Sequence, residues 1–158
     1  MPGVKSSLQT IALSGPVVEQ TERGALALAA PYWAEIRRLT AGLVTARSDE
    51  RGVELRLAGA LTLFRFGPAR PATAPGRVEC RFPIAGGLLA KEERGWLTFT
   101  QRTTEAPRLE ISVEDYVPAL SSERYRLSLR RFAYRELQER AHRAIGRRYL
   151  QRMARRAR

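Results

Sequence analysis

The chain has 158 residues and a formal net charge of +12, from 28 Lys and Arg against 16 Asp and Glu. A chain of this length is expected to form one domain around a single core. One cysteine and one histidine exclude an internal disulfide and a zinc or iron–sulfur site built from those residue types.

The first part of the chain predicts a strand followed by a short helix. Residues 8–18 have the apolar, β-branched character of a strand, interrupted by a Ser-Gly-Pro irregularity. Residues 25–41 predict a helix with an apolar stripe on one face. Pro31 suits a first-turn position, where its missing N–H costs nothing, and it could also divide the helix in two. Gly42 is typical of a helix C-terminus.

The next segment changes from helical to strand periodicity. Residues 43–48 and 53–66 predict two strands joined by an Asp-Glu-Arg-Gly turn. The second strand is long and contains Gly59, which favours a bend and a curved sheet. Phe64 and Phe66 have the opposite parity to the apolar residues before them. They are therefore predicted to contact something beyond the core.

The middle of the chain predicts a loop and then further antiparallel strands. Residues 67–76 hold three prolines and two glycines, which predicts a loop; it is either a flap over a site or a plain surface insertion. Residues 78–84 alternate apolar and polar, with Cys80 facing inward. Residues 96–103 and 109–113 predict two more strands. The connections are too short for parallel crossovers, so an antiparallel meander is expected.

The last 29 residues carry eleven Arg and only two acidic residues. At helical spacing, residues 131–145 present one apolar stripe, which predicts a helix packed on the core. After Gly146 the stripe moves around the helix, and glycine weakens a helix by about 1 kcal/mol relative to Ala. A hinge at Gly146 is therefore predicted. The expected organisation is one α+β domain over residues 1–146 and a basic helical extension over residues 147–158.

The order of elements is a strand, a short helix, several antiparallel strands and a long C-terminal helix. In this order the chain resembles the helix-grip domains of the START-like (SRPBCC) superfamily, over residues 8–145. The resemblance implies an α+β fold in which a curved antiparallel sheet of six or seven strands packs on the C-terminal helix around an apolar cavity. Members of that superfamily bind lipids or polyketides, act as cyclases or bind partner proteins, and the resemblance does not choose among them.

The leading hypothesis for function is a domain that binds a small apolar ligand, such as a lipid or polyketide, between sheet and helix. It requires a cavity of at least roughly 300 Å³. Tyr116 would supply a polar group to an otherwise apolar lining. The residues predicted to line the cavity are Phe82, Ile84, Trp96, Phe99, Ile111, Tyr116 and Leu137.

The alternative hypothesis is that the basic extension binds nucleic acid, an anionic surface or an acidic partner. The predicted anion-binding residues are Arg147, Arg148, Arg152, Arg155 and Arg156. A third hypothesis is a homodimer, in which Leu150, Met153 and Ala157 dock on a second copy.

Catalysis is left open, with a non-catalytic role favoured. A cyclase of the helix-grip type could work by shaping a cavity and would need no metal. Cys80 is interpreted as a small core residue, and His142 lacks a nucleophile in a recognisable context. No cofactor and no membrane span are predicted, since no 18-residue apolar run is present. A soluble, cytoplasmic protein is the expectation.

Overall fold

A computed structural model describes residues 5–90, 92–117 and 129–157, with side chains described throughout except at 129–137. The elements of the first half are β1 (Lys5–Ala12), α1 (Glu22–Ala27), α2 (Ala30–Leu39), β2 (Val44–Asp49), β3 (Gly52–Leu57) and β4 (Leu61–Phe66). The second half contains β5 (Arg70–Ala74), β6 (Arg77–Pro83), β7 (Trp96–Arg102), β8 (Arg108–Tyr116) and α3 (Leu129–Arg156).

Five strands form the larger sheet, in the order β1-β8-β7-β6-β5, and every neighbouring pair is antiparallel. The side-chain alternation of the sequence is retained in this sheet. Val78, Cys80 and Phe82 of β6 are buried together with Phe99 of β7 and Ile111 of β8. The face that carries these residues is covered by the helices, so it forms the core of the protein.

The other three strands form a meander in the order β2-β3-β4. Backbone hydrogen bonds connect this meander to the chain that follows β6. The Arg65 amide donates to the Gly86 carbonyl at 2.8 Å, and the Ala85 amide donates to the Arg65 carbonyl at 2.7 Å. Gly87 has a φ of 121°, and a Cβ there would lie 2.5 Å from the Leu63 carbonyl oxygen. Only glycine therefore allows this close approach to β4.

The long strand predicted over residues 53–66 is two strands, β3 and β4, joined by a turn at residues 58–60. The pairing of β3 with β4 shifts between Leu55 and Arg56. Because this irregularity adds a residue on one side, Phe64 and Phe66 return to the inward face. Phe66 is buried in the core and Phe64 stacks on it with ring centroids 5.8 Å apart. The opposite parity therefore reflects a bulge.

The proline-rich stretch predicted as a loop contains strand β5, at the edge of the larger sheet. Pro71 pairs with Cys80 in this strand. An edge position tolerates proline because one side of an edge strand has no neighbour that needs its N–H. The segment is thus part of the sheet, as an edge strand.

The helices after β1 confirm the expected short helical region and its division. Thr21 caps α1, with its side-chain oxygen accepting a hydrogen bond from the Gly24 amide at 3.0 Å. Pro31 lies in the first turn of α2, as its chemistry predicts. Tyr32 and Ile36 are buried on one face of α2. The predicted strand continues only to Ala12 before the chain turns toward these helices.

The C-terminal helix differs from the prediction at Gly146. Helix α3 is continuous from Leu129 to Arg156, and Gly146 itself is buried. A Cβ at Gly146 would overlap the side-chain amide of Gln9 on β1, so the glycine allows a helix to approach a strand closely. Leu150 and Met153 are 4% and 1% exposed. They pack inside their own chain, so these two side chains are not exposed for the contact with a second copy that the homodimer hypothesis assigned to them.

The structure confirms an α+β fold with antiparallel sheets, helices after the first strand and a long C-terminal helix. The described residues contain eight strands in two sheets. None of the helices in this part of the chain combines the length and the apolar character that crossing a bilayer needs.

Candidate anion-binding face of the C-terminal helix

The second half of α3 is held in place by its buried side. Tyr149 is fully buried, and its hydroxyl donates a hydrogen bond of 2.7 Å to the Leu28 carbonyl. Its ring contacts Tyr32 and Phe99 edge to face, with centroids 5.7 and 5.6 Å away. Burial raises the pKa of the Tyr149 phenol, so it stays protonated. These contacts prevent α3 from rotating about its axis.

An ion pair between a buried carboxylate and a half-exposed arginine joins α2 to α3. The carboxylate of Glu35 is fully buried, and its Oε1 accepts from Arg152 Nε at 2.5 Å and from Arg38 Nη1 at 2.8 Å. Arg152 was predicted to bind an external anion. Since its guanidinium is already paired with a buried carboxylate, it fits a structural role instead.

The opposite side of α3 is exposed and rich in arginine. All five predicted anion-binding residues are exposed: Arg152, which is paired with Glu35, and Arg147, Arg148, Arg155 and Arg156. Arg143 is also exposed and precedes Arg147 by four residues, so the two lie on one face. No acidic residue occurs between Arg140 and Arg158. The sequence therefore places no carboxylate on this part of the helix to neutralise the row.

One end of this face borders a surface groove. The groove has a volume of about 560 Å³ and includes Arg155 and Gln151 of α3. Leu13 and Ser14 form its other side. The Ser14 hydroxyl donates to the Ala157 carbonyl at 2.9 Å, which holds the groove wall against the helix end. Arg155 thus lies beside a concave surface.

Four of the seven residues predicted to line an apolar cavity are packed in the core. Phe82, Ile84, Phe99 and Ile111 are between 0% and 4% exposed. Phe82 and Phe99 contact the Trp33 ring edge to face, at centroid distances of 5.5 and 6.3 Å. Two concavities formed by the described residues lie away from these side chains, one at Arg155 and one on the outer face of the larger sheet.

The remaining predicted lining residues are separated from that cluster. Trp96 lies on the other face of the sheet, with the guanidinium groups of Arg70 and Arg81 at 5.0 and 4.3 Å from its ring centroid. Tyr116 is partly buried; its hydroxyl donates to the Leu89 carbonyl at 2.5 Å and accepts from Gln138 at 3.2 Å. The side chain of Leu137 lies outside the described residues.

His142 lies where α3 meets β1 and α2. Its Nε2 is 3.4 Å from the Ser7 hydroxyl, and its Nδ1 is 3.4 Å from the Tyr32 hydroxyl. Burial lowers the pKa of the imidazole, and Arg143 lowers it further. Burial also raises the pKa of the Cys80 thiol to about 11, which keeps that residue protonated. Both environments suit packing better than nucleophilic chemistry.

Arg143 and Phe64 were not among the predicted site residues. The spacing of Arg143 from Arg147 could have identified the first, because it is the helical i, i+4 interval. Phe64 could not have been placed without knowledge of the bulge. It contacts Tyr116, with ring centroids 5.9 Å apart, at the junction between the two sheets.

The sequence matches no known family model, and no curated protein is significantly similar to it. The geometry of the site therefore carries the functional argument.

Proposed function

We propose that the exposed arginine face of α3 binds a phosphate-rich polyanion, either nucleic acid or the headgroups of an anionic surface. The observation that supports this is the row of exposed arginines on a helix whose other side is buried. Arg143, Arg147 and Arg155 lie at intervals of four and eight residues, which span about 18 Å along the helix. Guanidinium groups bind phosphate oxygens through two hydrogen bonds, which suits this spacing to a polymer of phosphates.

A second argument for binding is that this arrangement of arginines destabilises the helix. Arginines four residues apart on a helix repel each other, and acidic residues at the same positions would stabilise the helix by about 0.2–0.5 kcal/mol for each pair. A row of arginines without acidic residues between them therefore does not stabilise the folded helix. Arg152 differs from the arginines of this row, because its guanidinium pairs with the buried carboxylate of Glu35.

The test measures binding to duplex DNA, to RNA and to anionic vesicles at low and at moderate salt. In the variant, Arg147, Arg148 and Arg155 are replaced by Gln. Affinity should fall, and the slope of log affinity against log salt should become shallower by about 2 to 3, since each lost phosphate contact removes about 0.9. The three ligands distinguish nucleic acid from a lipid surface as the source of phosphate.

A matched variant controls for net charge. Replacing the exposed Arg23, Arg47 and Arg51 by Gln also lowers the net charge from +12 by three, but leaves α3 intact. Its affinity should stay close to that of the parent. Equal losses in the two variants, or no binding of any of the three ligands at low salt, would contradict the proposal.

The second candidate function is binding of a small apolar ligand by a helix-grip fold, and we retain it on one observation. Phe64 and Tyr116 are only partly buried where the two sheets and α3 meet. Such a ligand would lie beside Phe64 rather than among the packed rings of Phe82 and Phe99.

An uncharged solvatochromic dye such as Nile red tests this second function. The folded chain should give a saturable shift in emission, and Phe64→Ser should weaken dye binding about tenfold, because it removes a large apolar contact. Leu8→Ser, on the outer side of β1, should have no effect. An emission spectrum that does not change with added protein would exclude the site.

A further inference from the structure

Three loops of the protein share an unusual sequence. Ala and Gly precede Leu at residues 41–43, 58–61 and 85–88, and none of the three loops contains a charged residue. Turns in water normally use Asn, Asp or Ser beside Gly. The first of these loops connects α2 to β2, the second connects β3 to β4, and the third follows β6.

The fold brings these loops to one edge. The Ala58 amide donates to the Leu43 carbonyl at 2.8 Å, which makes the first two loops neighbours. Leu61 starts the strand after the second loop, and the next residue, Thr62, accepts from the Leu88 amide at 3.1 Å. Each loop therefore ends beside the next. Three strand spacings of about 4.8 Å separate the backbone at Leu43 from the backbone at Leu88, so the backbone positions of the three leucines form a row about 14 Å long.

The three leucines face solvent. Leu43 is 56% exposed, Leu61 is 53% exposed and Leu88 is 59% exposed. They are three of the five large apolar side chains that are exposed in the described part of the chain. A scattered exposed leucine needs no explanation, but a row of them on adjacent loops marks a contact surface.

The backbone of two of these loops adds an independent argument. Ala41 and Ala58 have φ values of 51° and 50°, in the left-handed region that strains residues with a Cβ. Asn or Gly would adopt this conformation more easily and would also be better solvated. The apolar alanine is thus unfavourable for the turn and for the exposed surface, which indicates that a charge-free apolar surface is needed here.

We propose that these three loops insert their leucines into the interfacial layer of an anionic lipid bilayer. Three exposed leucines on separate loops fit a deformable lipid layer better than they fit a flat protein partner. Charge also favours a negatively charged surface, because the exposed Arg37 lies in the last turn of α2 beside the first loop, with its carbonyl accepting from the Gly42 amide at 2.7 Å. The protein would lie on the membrane and would not span it.

This surface is distinct from the arginine face of α3, and its binding has a different signature. Attraction between arginines and phosphates weakens as salt is added, whereas insertion of leucine does not depend on screening of charge. Binding to vesicles that remains at high salt would therefore report the loops. The salt dependence therefore distinguishes a failure of the loop proposal from a failure of the proposal that the arginine face of α3 binds phosphate.

The experiment is sedimentation of the full chain with vesicles of phosphatidylcholine and phosphatidylserine, at low and at high salt. Replacement of Leu43, Leu61 and Leu88 by Ser should weaken binding at high salt at least about tenfold. The control replaces two exposed leucines outside the row, Leu8 and Leu26, by Ser and should bind as the parent does. Circular dichroism verifies that all variants are folded.

A second measurement places the contact. In Leu61→Trp, vesicles should shift the added tryptophan emission to shorter wavelength, whereas Leu8→Trp should show no such shift. The proposal is overturned if the parent does not bind vesicles, or if the triple serine variant binds them as well as the parent. It is also overturned if the parent dimerises through this row, and the serine variant becomes monomeric, without vesicle binding.

Discussion

Replacing Tyr149 by Ala should reduce the free energy of unfolding by about 3–5 kcal/mol, the usual range for a large aromatic residue in a core. Tyr149 is fully buried, contacts Tyr32 and Phe99, and donates a hydrogen bond to Leu28. Its removal leaves a cavity between α1, α2 and α3 and a carbonyl without its partner. The measurement is urea denaturation followed by circular dichroism.

The neighbouring residue provides the control for this prediction. Arg148 is exposed, so Arg148→Ala should change the unfolding free energy by no more than about 0.5 kcal/mol. The two substituted residues are adjacent in the sequence, but one lies on the buried side of the helix and the other on the exposed side. If Tyr149→Ala were as stable as Arg148→Ala, the end of α3 would be an extension outside the core, and the docking described above would be wrong.

Replacing Arg152 by Ala should reduce the unfolding free energy by about 2–3 kcal/mol. This loss is somewhat below the range for breaking a fully buried pair, because Arg38 still contacts Glu35 and Arg152 is itself half exposed. The Glu35 carboxyl group would stay in its buried site with one partner fewer. Arg155→Ala, which removes an exposed arginine from the next turn, is the matched control and should have little effect.

A double variant separates loss of an ion pair from loss of packing. With Glu35→Leu and Arg152→Met together, the buried charge is absent and apolar side chains occupy a similar volume. The unfolding free energy should return close to that of the parent, since apolar replacement of a whole buried ion pair is often neutral or favourable. A double variant less stable than Arg152→Ala alone would show that Glu35 has another stabilising role.

The placement of the predicted site residues shows where inference from sequence ends. Alternation along β7 assigns Trp96 and Phe99 to opposite faces, so parity alone could have separated them. The bulge between β3 and β4 could not be read in this way, and Phe64 and Phe66 were misjudged for that reason. The turn at residues 58–60 was also missed, because Ala-Gly-Ala lacks the polar residues by which turns are recognised.

The sequence alone determined the α+β class, the antiparallel strands, the helix containing Pro31 and the long basic helix, because each depends on local periodicity or turn chemistry. Tertiary structure decided which side of α3 is buried. Local pattern suggests a hinge at Gly146, yet the glycine allows α3 to approach Gln9, a residue more than a hundred positions away. Packing of this side of α3 on the core buries Tyr149 and Met153 and leaves the arginines outside. Helical periodicity predicts which residues share a face of a helix, but the elements packed against the helix determine which face is buried.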